Sequence, residues 1–174
     1  MSTVTLDVQL NMTGTEQLTA AEAPTAASAA ARALALGGLN VSATLDASTT
    51  PAITATPCFR KVTISGTTTI DLTAAAAPAL PAAATRTVDL SGKKLVAYAF
   101  KADAANAGGV TISVGGTNGY ALFGASKSII LQPGESVFGV LGTTSGKPTV
   151  GASEKTIDIT GTTNDVVTLV LYFG

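Results

Sequence analysis

Val4, Leu6, Val8 and Leu10 alternate with polar neighbours at the start of the sequence, and this period of two recurs along most of the chain. A strand sends successive side chains to opposite faces, so such alternation describes a strand with one buried face. Val41, Ala43 and Leu45 repeat the pattern more weakly. Further strands are predicted over Phe59–Ile64, Thr68–Leu72, Thr87–Leu90, Lys94–Lys101, Val110–Val114, Ser128–Leu131, Ser136–Leu141, Thr156–Thr160 and Asp165–Phe173. About ten short strands separated by turn residues describe an antiparallel sandwich or barrel.

The turns agree. Asn118-Gly119 supplies the left-handed backbone that a tight hairpin uses. Gln132-Pro133-Gly134-Glu135 reads as a type II turn, with proline fixing the first central residue and glycine taking positive φ in the second. Gly161 to Asn164 links the last two strands in the same way. The expectation is an all-β protein, an antiparallel β-sandwich spanning 56–174, preceded over 1–55 by a strand and an Ala/Thr-rich arm.

Two alanine-rich stretches interrupt the alternation. Ala26 to Leu36, followed by Gly37-Gly38, reads either as a short helix with a glycine C-cap or as an irregular arm, since Pro24 and the scattered Thr and Ser oppose a helix. Ala74 to Ala84 carries Pro78 and Pro81 and reads as an extended connection.

Composition narrows the function classes. Of 174 residues, 10 are basic and 11 acidic, a net charge of −1 with 12% of the chain charged. Without a basic excess to neutralise phosphates, nucleic-acid binding is disfavoured. So little charge suits a surface partly buried in an assembly. The segment MSTVTLDVQL has neither a basic nor an apolar signal region, and no apolar run is long enough to span a bilayer. The expectation is synthesis in a cytoplasm, with no membrane partner.

Catalytic chemistry has little to stand on. There is no histidine, which excludes Ser-His-Asp and Cys-His arrangements, and Cys58 is the single cysteine, which excludes Cys/His zinc sites and an internal disulfide. Cys58 reads as a small buried hydrophobe at a strand start. Asp7, Asp46, Asp71, Asp89, Asp103, Asp158 and Asp165 are scattered singly, with no local pair suited to glycoside hydrolysis. Asp103 and Asn106 offer two oxygens but no calcium loop follows, so capping or a turn is expected of them. The pairs Ser91/Lys93 and Ser126/Lys127 have no neighbour to depress a lysine pKa and read as surface residues.

The stretch GYALFGASKS, Gly119 to Ser128, has the glycine spacing of a phosphate-binding loop, but its lysine comes two residues late. The positions between the glycines are apolar, and the residues after Gly124 read as strand and turn, leaving no helix N-terminus for an anion. No catalytic, cofactor-binding or metal-binding residue is therefore expected, and no enzyme activity.

From Ile64 onward the order of motifs is distinctive: TIDLT at Thr69–Thr73, DLSG at Asp89–Gly92, LVAYAFKA at Leu95–Ala102, NAGGVTISVGGTNGY at Asn106–Tyr120, LFG at Leu122–Gly124, IILQPGESV at Ile129–Val137 and VTLVLYFG at Val167–Gly174. With VTLDVQL at Val4–Leu10 and TGT at Thr13–Thr15, this run resembles a family of small structural proteins encoded among the head genes of tailed bacteriophages. The alanine-rich segment before Gly37 departs from that pattern. The resemblance implies a jelly-roll-like sandwich that decorates or cements a capsid, binding the major capsid protein on the outer surface of the virion head as a homo-oligomer, with a trimer favoured. It implies no catalytic residue. The alternative is a virion- or tail-associated adhesin that binds host glycans.

Overall fold

The computed structural model describes residues 6–10, 16–17, 31–32, 41–55, 58–78, 85–141 and 147–174. The chain divides into two compact units, one of them Leu6–Thr44 and the other carrying Leu45–Gly174. In the first, β1 (Leu6–Leu10) is a neighbour of β4 (Val41–Leu45), and β2 (Glu16–Gln17) pairs antiparallel with β3 (Ala31–Arg32). Ala31 and Arg32 are thus strand where the sequence allowed a helix; alanine's helix propensity is a weak preference that pairing overrides. The rest of 26–36 lies outside the described residues.

The larger unit holds β5 (Cys58–Thr63), β6 (Thr67–Asp71), a 3₁₀ turn at Leu72–Ala74, β7 (Ala75–Pro78), β8 (Thr85–Val88), β9 (Leu95–Ala102), β10 (Val110–Val114), β11 (Ile129–Leu131), β12 (Ser136–Val140), β13 (Thr156–Thr160) and β14 (Val166–Phe173). Two four-stranded antiparallel sheets stand in the orders β12-β9-β14-β5 and β11-β10-β13-β6, and β7-β8 forms a separate hairpin. Setting that hairpin aside and counting the remaining eight strands in chain order, the sheets read 6-3-8-1 and 5-4-7-2. The chain is a long hairpin, pairing first with last and fourth with fifth, rolled so that it closes into two sheets. That is jelly-roll connectivity.

One face of each sheet builds the core. Val167, Leu169, Leu171 and Phe173 of β14 point inward with Ile157 and Ile159 of β13, Ile112 of β10, and Phe100 and Ala102 of β9. The run LVAYAFKA breaks strict alternation, since Leu95, Tyr98, Phe100 and Ala102 all belong inside. A register shift between Tyr172 and Phe173 resolves this: Tyr172 pairs with Ala97, but Phe173 pairs with Leu95. The extra residue of a bulge turns Leu95 back into the core.

Turn chemistry follows the sequence at Gly134 (φ 84), where Glu135 N–H donates to Gln132 O at 2.9 Å, and at Asn164 (φ 76) before β14. Asn118 has the expected positive φ of 53 but closes no tight hairpin. The connection from β10 to β11 runs from Gly115 to Ser128, and Asn118 O accepts from the backbone of Lys155 and Thr156, tying it to β13. Tyr120 is the reason. Its ring is fully buried, its hydroxyl donates to Pro148 O at 3.0 Å, and Leu95 N–H donates to it at 3.1 Å. A side chain drawn that far inward needs more chain than a two-residue turn provides.

Candidate interaction surface

The structure gives the singled-out polar residues local tasks. Asp46, Asp89 and Asp103 accept from backbone N–H groups two residues ahead, at Ser48, Ser91 and Ala105. Hydrogen bonds from the Ser48 and Ser91 side chains, then from their backbones, hold the Asp46 and Asp89 carboxyls below the usual range. Asp71 caps the 3₁₀ turn through Thr73 and pairs with Lys155 at 2.8 Å. Burial works to raise its pKa, but the bonds from Lys155 and Thr73 prevail and lower it. Asp158 accepts from Thr69 Oγ1 at 2.6 Å and Gly116 N–H at 2.9 Å. Asp165 is buried, and its two oxygens take the N–H groups of Ala107 and Thr162. Asp7 has no described side chain.

Asn106 forms a turn with Asp103, as expected, and does more: its amide exchanges both hydrogen bonds with the backbone of Val166, in the manner of a paired strand residue. Ser91 donates to Asp89, Lys93 reaches Thr54 Oγ1, and Ser126 and Lys127 are exposed. Cys58 opens β5 fully buried, and burial pushes its thiol up to about 11. After Gly124 (φ 111) the next element is β11, and Tyr120 and Leu122 are core residues. Among the described residues no group of three or more Cys, Asp or Glu side chains could hold a metal ion.

What distinguishes the molecule is the contrast between its outer faces. On the β11-β10-β13-β6 sheet, Thr67 and Thr69 stand opposite Thr160 and Asp158, joined by side-chain hydrogen bonds of 3.0 and 2.6 Å. Over β13 and β6 this face satisfies itself and is polar; at its β11 edge the same face carries Ile130. On the other sheet, cross-strand register puts Phe138, Ala99 and Val170 in one row and Val140, Ala97 and Tyr172 in the next, with Ser136, Lys101, Thr168 and Lys61 beyond. Phe138 and Val170 flank the small Ala99 and leave a shallow apolar depression of about 140 Å³. Antiparallel sheets ordinarily turn a polar face to water; much of this one is apolar on both sides.

The sheet edges differ too. Tight ladder bonds from Leu141 N–H to Val96 O and from Ala102 N–H to Glu135 O fix which β12 residues bond to β9. By antiparallel alternation Val137 and Gly139 face β9, while the backbone groups of Ser136, Phe138 and Val140 point away from it. β12 ends its sheet, and no described strand pairs beyond it. The exposed large apolar side chains among the described residues are Phe138 at 51% and Ile130 at 59%. They stand on β12 and β11, the edge strands that the Gln132–Glu135 turn joins on one side of the sandwich. At the opposite side, β5 carries Arg60 and Lys61, and β6 ends in the Asp71–Lys155 pair. Sequence reasoning placed β11 and β12 but did not single out Ile130 or Phe138. The only hint in the sequence is that SVFGV carries no charge and sets its phenylalanine in phase with Ser136.

The fold and this surface define an all-β jelly-roll sandwich with one apolar outer flank. No protein-family model and no curated protein matches the sequence. A solved structure described as "Bacillus endospore appendages form a novel family of disulfide-linked pili" is 21% identical, covering 69% of this chain and 87% of that chain, with a TM-score of 0.31, too slight a likeness for fold or function to transfer. No described helix is long and apolar enough to cross a membrane.

Proposed function

We propose that this chain is a bacteriophage capsid decoration protein, a trimer that binds the major capsid protein on the outer surface of the head and stabilises the shell across neighbouring capsomers. The observation that carries the reading is the apolar flank of the sandwich: Phe138, Val140, Ala99 and Val170 make a surface suited to burial in an assembly. Four aspartates fit the same picture, since Asp46, Asp71, Asp89 and Asp165 are engaged in shaping turns. The motif order from Thr69 to Gly174 supplies the phage assignment, through its resemblance to head-gene proteins. Binding that occurs only on the folded shell stabilises it by mass action.

The test is co-sedimentation of the purified protein with empty, expanded heads. Saturation at a fixed ratio to the major capsid protein, with heads that then resist heat longer, is the expected result. A monomer that ignores heads and is retained on a glycan array belongs instead to the adhesin class. A major capsid gene beside this one would strengthen the reading, and its absence would weaken it.

A further inference from the structure

We infer that β12 is a self-association edge, at which two copies of this chain join antiparallel about a two-fold axis through Phe138 to make one continuous eight-stranded sheet. The free backbone groups of Ser136, Phe138 and Val140 are spaced two apart, which is what an incoming antiparallel strand requires. Centred on Phe138, the pairing sets Phe138 opposite Phe138 and Ser136 opposite Val140, each pair exchanging both of its backbone bonds. Both phenylalanines then lie on the outer face, extending the row of Ala99 and Val170 across the junction.

Edge strands are ordinarily guarded by charge, proline, brevity or a covering element. β5 has Arg60 and Lys61, and β11 has three residues. β12 has five residues and neither a charge nor a proline. A second copy is the occupant the chemistry fits, because the edge is complementary to itself. Its side chains are neutral, so no like charges meet within the strand, and the flanking Glu135 falls opposite Leu141 of the other copy rather than opposite its own counterpart. The pairing goes beyond the decoration reading: trimers that also touch through two-folds would form a continuous layer.

Cysteine cross-linking tests it in the full chain, since the native Cys58 is buried and will not compete. Strand partners that exchange backbone bonds have Cα atoms about 5.5 Å apart, within disulfide reach. The double variant Ser136→Cys/Val140→Cys, which keeps Phe138, should form a covalent dimer under mild oxidation, while Ser136→Cys alone and Val140→Cys alone should not. Phe138→Lys should lower the particle mass measured by light scattering, with an unchanged circular dichroism spectrum. No dimer from the double variant, dimers from either single variant, or a mass unmoved by Phe138→Lys would overturn the inference, including where the edge serves another protein's strand. Cross-linking without head binding would remove the decoration reading alone; head binding without cross-linking would remove this one alone.

Discussion

The ring of Tyr98 covers the backbone of Gly139, its partner across β9 and β12: a Cβ at Gly139 would sit 2.7 Å from two of the ring carbons and 2.8 Å from the phenol oxygen. Tyr98 in turn meets Phe123 edge-on, with centroids 5.4 Å apart, and Phe100 at 5.9 Å. The glycine is what lets this aromatic cluster close under the β12 edge.

Gly139→Ala should therefore destabilise the sandwich by about 1–3 kcal/mol, the ordinary cost of overpacking a closed site. The check is the urea midpoint. Tyr98→Leu in the same background should recover part of the loss, because it removes the ring atoms that the new methyl meets.

The jelly roll was legible because its physics is local. Period-two alternation placed Val110–Val114 and Thr156–Thr160 with the bounds the structure shows, and Pro133-Gly134 fixed its turn. What was not legible depends on distant partners. Ala75–Pro78 pairs with Thr85–Val88, although nothing in an alanine-proline run announces a ladder. The bulge at Leu95 exists because Phe173, far away in sequence, must share its face. The interaction surface was hidden for the same reason: SVFGV reads as one more strand until topology makes it an edge.

Asn106 holds Val166 by donating from Nδ2 to its carbonyl at 3.0 Å and accepting its N–H on Oδ1 at 2.7 Å. Asn106→Asp replaces the donor with an oxygen aimed at a carbonyl. A loss of about 1–3 kcal/mol is expected, the cost of an unmet buried polar contact. Amide hydrogen exchange at Val166 should accelerate, since its bond to Oδ1 loses the reciprocal bond from Nδ2 and the new oxygen repels the Val166 carbonyl. An unchanged exchange rate would mean that the strand start is held by β5 and Asp165 alone.

Residues Leu6–Leu10 lie beside Val41–Leu45 and belong to neither four-stranded sheet. Deleting Met1 to Gly38 should accordingly leave one cooperative unfolding transition and an all-β circular dichroism spectrum. If the arm contributes to the capsid contact, the truncated protein will lose head binding while keeping its fold. Collapse of the transition would assign the arm to the sandwich itself.

Tyr120 joins fold and pH dependence in one side chain. Burial pushes its phenol up to about 12, against an ordinary value of 10, while its hydroxyl bridges Leu95 N–H and Pro148 O. The folded state resists ionisation that the unfolded chain accepts from pH 10 upward, so this contribution is complete below pH 10 and is lost as pH rises toward 12. Two pKa units correspond to about 3 kcal/mol. Tyr120→Phe should have two separable effects. At pH 7 it strands two backbone groups and lowers stability by about 1–3 kcal/mol. Between pH 10 and 12 its stability should fall less steeply than that of the parent protein, because the phenol that ionises on unfolding is gone. Denaturant midpoints measured across that range distinguish the two effects: parallel curves would show that Tyr120 anchors the loop without controlling alkaline stability, whereas converging curves identify it as the group whose ionisation opens the core.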